Sequence, residues 1–183
     1  MLRAIIGTTA VLAGFAVVER SVDASTGLAG SCTPTQAYTQ LPRGEAVPVR
    51  TEPTPQAAVI GTLSGHSIAG SDLARSVVTI TGSQSGWARI ALNTAQGYSA
   101  AGSASQSFGW IPADGLTVDA QVDGSITVYD WPGLLGGAVA TIEGGDTKFR
   151  LLGCRGNWLQ VINASHGNVW IDKWCAREDG CRG

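Results

Sequence analysis

The stretch Phe149–Trp170, FRLLGCRGNWLQVINASHGNVW, has the pattern of three short strands joined by two tight turns. Its apolar and β-branched residues are broken by clusters of Gly, Asn and Ser, which is typical of antiparallel hairpins. Residues 79–110 repeat the pattern more loosely, with Gln84-Ser85-Gly86 in the place of Arg155-Gly156-Asn157. The sequence therefore predicts an internal repeat of one β-sheet unit, and the fold depends on that repeat.

Three different offsets relate the two copies, because the first copy carries two insertions, at 65–76 and within 93–107. Both insertions have loop composition, and loops accept extra residues at little entropic cost. We expect two copies of one five-strand unit, at 45–119 and 121–176, with one merged eight- to ten-strand sandwich as the alternative. The corresponding pairs are Val49 and Val128 (79 residues apart), Trp87 and Trp158 (71 apart), and Trp110 and Trp170 (60 apart).

Composition limits the class of protein. The chain has 183 residues, enough for one ordinary domain or two small ones. Only 14% of the residues are charged and 25 are Gly, which favours short strands and turns over helices. The formal net charge is −2 with no basic block, so the sequence gives no electrostatic indication of a nucleic-acid partner or of binding to anionic lipid.

The N-terminus has the pattern of a secretory signal peptide. Arg3 precedes the 15 uncharged residues Ala4–Val18, and Val22 and Ala24 suit a cleavage site after residue 24. We therefore predict a signal peptide at 1–24 and a periplasmic or secreted protein. The alternative is an uncleaved membrane anchor, although the apolar run is shorter than the ~20 residues of a spanning helix.

The segments that flank the repeat have no periodicity. Residues 25–44 are polar and contain Pro34 and Pro42, which predicts a linker without regular structure. Residues 177–183 are expected to be a tail.

At three places in the first copy the residues resemble bacterial SH3-like (SH3b) domains. VPVRTEPTPQAAVIGTL, at 47–63, is similar to the family's opening Val-Arg strand, Ser/Thr-x-Pro turn and Gly-x-Leu strand. Gly86–Ile90 resembles its central Gly-Trp-x-x-Val strand, and Gly109–Pro112 its closing Gly-Trp-Val strand. Residues 157–161 and 169–171 repeat the last two motifs.

The resemblance covers residues 45–176 and implies a small, strongly bent antiparallel barrel. Such barrels act as targeting or interaction modules, often on cell-wall proteins, without catalysis and without a cofactor. The expected fold is therefore all-β, with two tandem SH3-like five-strand barrels after the N-terminal signal segment.

The aromatic residues divide into two groups. Tyr129, Trp131 and Trp174 flank turns or strand ends beside polar neighbours, so they are the candidates for a surface that stacks on a ligand. An alternative is that they only cover the end of the barrel. Four further tryptophans stand within strand patterns beside Ile and Val and are expected to pack in the core: Trp87, Trp110, Trp158 and Trp170.

The four cysteines suit an exported, disulfide-bonded protein. Cys32, Cys154, Cys175 and Cys181 allow three complete pairings, and the sequence does not choose among them. The SH3-like resemblance implies that the segment after the last long strand returns near Cys154, which favours Cys154–Cys175 and leaves Cys32 with Cys181. The two histidines have no ligand spacing, so no metal site is predicted.

No catalytic motif is present in the sequence. We therefore predict a non-catalytic binding or scaffold module of the bacterial envelope, with murein or an envelope protein as its partner. The alternatives are a cell-wall hydrolase or inhibitor that uses the loop at 93–107, and a structural subunit of a larger assembly. For a hydrolase the sequence offers a Cys154–His166 pair across the hairpin, or paired carboxylates from a few acidic residues, most of which stand beside Gly or Pro as turn residues do.

Overall fold

The computed structural model describes residues 30–102, 106–120, 125–143 and 147–172. These residues form β-strands and a single 3₁₀ turn, without an α-helix, which confirms the all-β prediction. No helix in the described ranges is long and apolar enough to span a membrane. The predicted signal peptide at 1–24 and the tail at 177–183 lie outside these ranges, as do Trp174, Cys175 and Cys181.

The strands are short, and most are joined by tight turns. Their bounds are β1 Gly30–Pro42, β2 Ala46–Arg50, β3 Val59–Ser64, β4 His66–Ser67, β5 Leu73–Gln84, β6 Trp87–Ala91, β7 Tyr98–Ala100, β8 Phe108–Pro112, the 3₁₀ turn Ala113–Gly115, β9 Leu116–Ala120, β10 Ser125–Tyr129, β11 Ala138–Glu143, β12 Thr147–Arg155, β13 Trp158–Asn163 and β14 Gly167–Ile171.

All the strands belong to one antiparallel sheet. Its order is β11-β10-β14-β13-β12-β9-β1-β5-β6-β8-β2-β3-β7, and β4 pairs with β5 to the side of this path. Two runs of five strands within it have the same order. The first is β3-β2-β8-β6-β5, and the second is β11-β10-β14-β13-β12. The two extra strands of the first copy, β4 and β7, lie in the insertions at 65–76 and 93–107.

The irregular points of the two runs also correspond. β2 shifts register against β3 between Val49 and Arg50, and β10 shifts against β11 between Val128 and Tyr129. The same kind of shift falls just before Gly82 in β5 and just before Gly153 in β12. The offsets of 79 and 71 residues in the sequence therefore recur in the strand pairing. A bulge bends and twists its strand, so both runs are bent at the same places.

The linker interpretation of 25–44 is wrong for residues 30–42, which form the longest strand of the sheet. β1 lies between β5 and β9, and Tyr38 at its centre is fully buried. The other residues that β1 buries are small or carry a hydroxyl group, so they give no hydrophobic periodicity: Cys32, Thr35, Ala37 and Thr39. The Thr39 hydroxyl accepts a hydrogen bond from the Ser76 backbone N–H at 3.2 Å.

The core lies on one face of the two runs. Buried side chains form one continuous cluster that includes members of both copies. Residues at corresponding positions are buried together, as the repeat requires: Val49 and Val128, Ile80 and Leu151, Ala88 and Leu159, Ile90 and Val161, and Ile111 and Ile171.

A disulfide joins β1 to β12, and the predicted Cys154–Cys175 pairing is wrong. Cys154 is bonded to Cys32, with their Cα atoms 5.7 Å apart. Cys32 reaches β12 because the start of β1 runs beside its turn, where Thr33 N–H donates to the Gly156 carbonyl at 2.9 Å. The sequence interpretation could not place Cys32 there, since it left this segment without structure. Nearby, the Ser83 hydroxyl accepts from the Cys154 N–H at 2.9 Å and donates to the Cys154 carbonyl at 3.1 Å.

Candidate functional site

The tryptophans expected in the core lie instead on the opposite side of the strands. Trp87, Trp110, Trp158 and Trp170 are each half-buried, and none belongs to the core cluster. The reason is the two-residue period of a strand, which sends neighbouring side chains to opposite faces. Leu159 and Val161 face the core, so Trp158 points away from it.

In the second copy these outward side chains form a cluster. The Tyr129 ring meets the Trp158 ring edge to face, with centroids 5.1 Å apart and planes at 87°. Tyr129 is also the cross-strand partner of Trp170. The guanidinium carbon of Arg155 lies 5.8 Å from the centroid of Trp131, whose side chain is 50% exposed. We call these five residues the aromatic face.

The β10–β11 loop, 130–137, holds Trp131 at the edge of this face. The Asp130 carboxylate accepts from the Gly137 N–H at 2.7 Å, and the Asp130 N–H donates to the Gly137 carbonyl at 3.1 Å. Inside the loop, a side chain on Gly136 would collide with the Trp131 carbonyl oxygen, so the close approach there requires glycine. The loop is therefore closed by its own hydrogen bonds.

Two of the three predicted ligand residues, Tyr129 and Trp131, belong to the aromatic face, and Trp174 lies outside the described residues. Sequence reasoning missed Trp158 and Trp170, which it assigned to the core, and did not consider Arg155. The alternation of Trp158 with the buried Leu159 is the signal that could have found them.

The first copy does not reproduce this face. Glu52 stands where the second copy has Trp131, and Arg50 stands where it has Tyr129, so only two of the four aromatic rings are matched. Arg50 donates to the Ala57 carbonyl at 2.7 Å. Arg89, in the place of Gln160, donates to the Thr81 hydroxyl at 3.0 Å and lies 5.2 Å from the Phe108 ring centroid. The two copies therefore share a backbone pattern but present different chemistry.

A concave region lies beside the loop at 93–107. Its volume is about 510 Å³, and the Tyr98 hydroxyl at its edge donates to the Ile60 carbonyl at 3.1 Å. The described residues around this cavity carry aliphatic, aromatic, amide and hydroxyl groups, without a carboxylate, imidazole or thiol: Leu92, Asn93, Tyr98, Ala100, Gln106, Ser107 and Phe108.

The Cys154–His166 pair that a hydrolase could use has no free nucleophile in this structure, because Cys154 is in a disulfide. The Cys154 sulfur is bonded to Cys32 and the residue is buried, so it presents no thiolate to His166. His166 is exposed in the β13–β14 turn, where its backbone N–H donates to the Asn163 side-chain oxygen at 3.0 Å. Within the described ranges, no group of three or more His, Cys, Asp or Glu residues could hold a metal ion. The aromatic face itself offers stacking surfaces and one cation.

Comparison with known proteins gives little to add to this geometry. No family model matches the chain, and no curated protein matches it. A solved structure of NlpC2 from Trichomonas vaginalis is similar over 82% of this chain and 51% of that chain, with 13% identity and a TM-score of 0.34. The chain thus spans about half the length of that protein, and the score is too low to establish a shared fold or function.

Proposed function

We propose that this protein is a non-catalytic binding module of the bacterial cell envelope, built from two tandem SH3-like barrels, and that its aromatic face binds murein. An envelope protein is the other partner that such a face would suit. The proposed location is periplasmic or secreted, and the buried Cys32–Cys154 disulfide suits an oxidising compartment.

The tandem-barrel part of the proposal is supported by the repeated strand order and by the matched bulges. A five-strand sheet closes into a small barrel only when its strands bend strongly, and bulges are the usual means of bending them. Both runs carry such shifts at corresponding positions, one in β2 and β10 and the other in β5 and β12. The two copies that the sequence repeat defines therefore also share the bulges that would bend their strands.

The observation that carries the binding function is the aromatic face of the second copy. Half-buried rings on a sheet face are rigid and lose little entropy when a ligand stacks on them. Trp131 is half exposed, and Arg155 beside it has no acidic partner among the described residues. Murein combines sugar rings, whose C–H faces can stack on indole, with carboxylates that a guanidinium can bind. The first copy has different residues at the corresponding positions, so the repeated fold does not by itself require these aromatic residues.

Sedimentation with insoluble murein sacculi tests this function. The wild-type protein should remain with the sacculi without releasing soluble fragments. Trp131→Ala should weaken retention by roughly fivefold to tenfold, because stacking and cation–π contacts of one ring contribute about 1–1.5 kcal/mol.

The matched control is Glu52→Ala, at the corresponding position of the first copy, which should bind like the wild type. Release of soluble fragments by the wild-type protein would contradict the non-catalytic function. A wild-type protein that stays in the supernatant would contradict murein as the ligand.

A further inference from the structure

The tip of the β10–β11 loop carries the two most exposed large hydrophobic residues in the described parts of the chain. Leu134 is 106% exposed and Leu135 is 91% exposed, next to each other at the end of the loop. Val139, at the start of β11, is 47% exposed on the same hairpin. Single exposed apolar residues are common on soluble proteins, whereas adjacent ones at full exposure indicate a contact with something outside the chain.

The turn itself does not require these leucines. The corresponding loop of the first copy, 51–58, is closed by the same backbone hydrogen bond, from the Thr51 N–H to the Ala58 carbonyl at 3.0 Å. It carries Pro55 and Gln56 at the positions of the two leucines. In the second copy the chain reverses at Gly133, with φ of 94°, so glycine and not leucine sets the shape of the loop.

The shape of the tip and the residues behind it indicate a lipid surface. Both leucines project beyond their neighbours, so no wall of a groove surrounds them. Trp131 lies in the same loop, next to the Asp130–Gly137 pair at its base, and the guanidinium carbon of Arg155 is 5.8 Å from its ring centroid. Aliphatic residues at the tip of the loop, with an indole and a cation at its base, suit the hydrocarbon, the interface and the headgroup phosphate of a membrane. We propose that the β10–β11 loop inserts Leu134 and Leu135 into the surface of a lipid bilayer.

A second copy of the chain is a poorer occupant. The concave region beside β7 and β8 is lined partly by the polar side chains of Asn93, Gln106 and Ser107. Leucines placed there would remove water from these groups and offer no hydrogen bond in return, which is costly. Insertion of the leucines among lipid chains buries no such polar groups. The proposed contact goes beyond murein binding, because Leu134 and Leu135 are not part of the aromatic face. It also does not depend on whether residues 1–24 are retained.

Sedimentation with sucrose-loaded phosphatidylcholine vesicles tests the insertion. The full chain is prepared by export, so that all variants share one N-terminus. The variant Leu134→Ser/Leu135→Ser should lower the partition coefficient by about tenfold or more, since burial of the two leucines is the main attraction. Pro55→Ser/Gln56→Ser, the matched change in the first copy, should partition like the wild type. Because all four residues are exposed, both variants should keep the wild-type melting temperature.

Vesicle binding that the two serines leave unchanged would overturn the proposal, as would a wild-type protein that does not bind vesicles. Wild-type oligomers that Leu134→Ser/Leu135→Ser converts to monomers, without vesicle binding, would identify a second copy as the occupant instead. Retention on murein sacculi should be the same for wild type and for Leu134→Ser/Leu135→Ser. Failure of the lipid contact would therefore be distinguishable from failure of the murein-binding function.

Discussion

Replacing Cys32 and Cys154 together with alanine is expected to lower the free energy of unfolding by about 5 kcal/mol. The bond closes a sequence separation of 122 residues, and in the chain-entropy model the loss of so long a loop is near the top of the usual range. The bond also links β1 to β12, and β9 lies between these two strands in the sheet. Most of the chain between the two cysteines is therefore freer in the unfolded protein once the bond is removed.

Denaturant unfolding of wild type and of the Cys32→Ala/Cys154→Ala variant measures this difference. Wild-type protein treated with a thiol reductant provides the comparison without a mutation and should lose a similar amount. Peptide mapping without reduction should recover the segments around residues 32 and 154 as one linked species. Recovery of a peptide that links Cys154 to Cys175 would contradict the observed pairing, and an unchanged unfolding midpoint would contradict the expected stabilisation.

Tyr38→Ala is expected to destabilise the protein by about 3–5 kcal/mol, the usual cost of truncating a buried aromatic residue. Tyr38 is fully buried at the centre of β1, opposite Val77 on one side and Thr117 on the other. The guanidinium carbon of Arg75 lies 4.0 Å from its ring centroid, so the substitution also removes a cation–π contact.

Gln36→Ala in the same strand is the matched control for Tyr38→Ala, because Gln36 is exposed. Its free energy of unfolding should stay within about 0.5 kcal/mol of the wild type, as is usual for surface substitutions. Urea unfolding of both variants makes the comparison. Equal stability of the Tyr38→Ala variant and the wild type would mean that β1 is not part of the folded sheet in solution.

The strands that could be predicted from sequence are those with strong hydrophobic alternation. The pattern around Trp158 and its earlier counterpart at Trp87 identified two hairpins, and the spacing between them gave offsets that recur in the strand pairing. β1 could not be predicted in this way. Its buried positions include Thr39, whose hydroxyl accepts a hydrogen bond from the Ser76 N–H of β5, and Thr35, whose hydroxyl donates to the Thr33 carbonyl, so they add no hydrophobic pattern. The Cys32–Cys154 disulfide could not be predicted for the same reason, since Cys32 lies in β1.

The candidate site was only partly predictable. Tyr129 and Trp131 were identified by their positions at a strand end and in a turn, and both belong to the aromatic face. Trp158 and Trp170 were assigned to the core because they adjoin apolar residues, although adjacency along a strand places side chains on opposite faces. Composition identifies aromatic residues, but only the sheet decides which side of it they occupy.

Binding of murein by the aromatic face is tested most directly by comparing Trp158→Ala with Trp87→Ala in the sedimentation assay with murein sacculi. Both residues are half-buried and open the strand after a matched turn, so the two variants should lose similar stability. Only Trp158 contacts Tyr129 on the aromatic face. If the aromatic face binds murein, Trp158→Ala should weaken retention by roughly tenfold, while Trp87→Ala should bind like the wild type. Equal retention of the two variants, or a loss confined to Trp87→Ala, would contradict binding by this face.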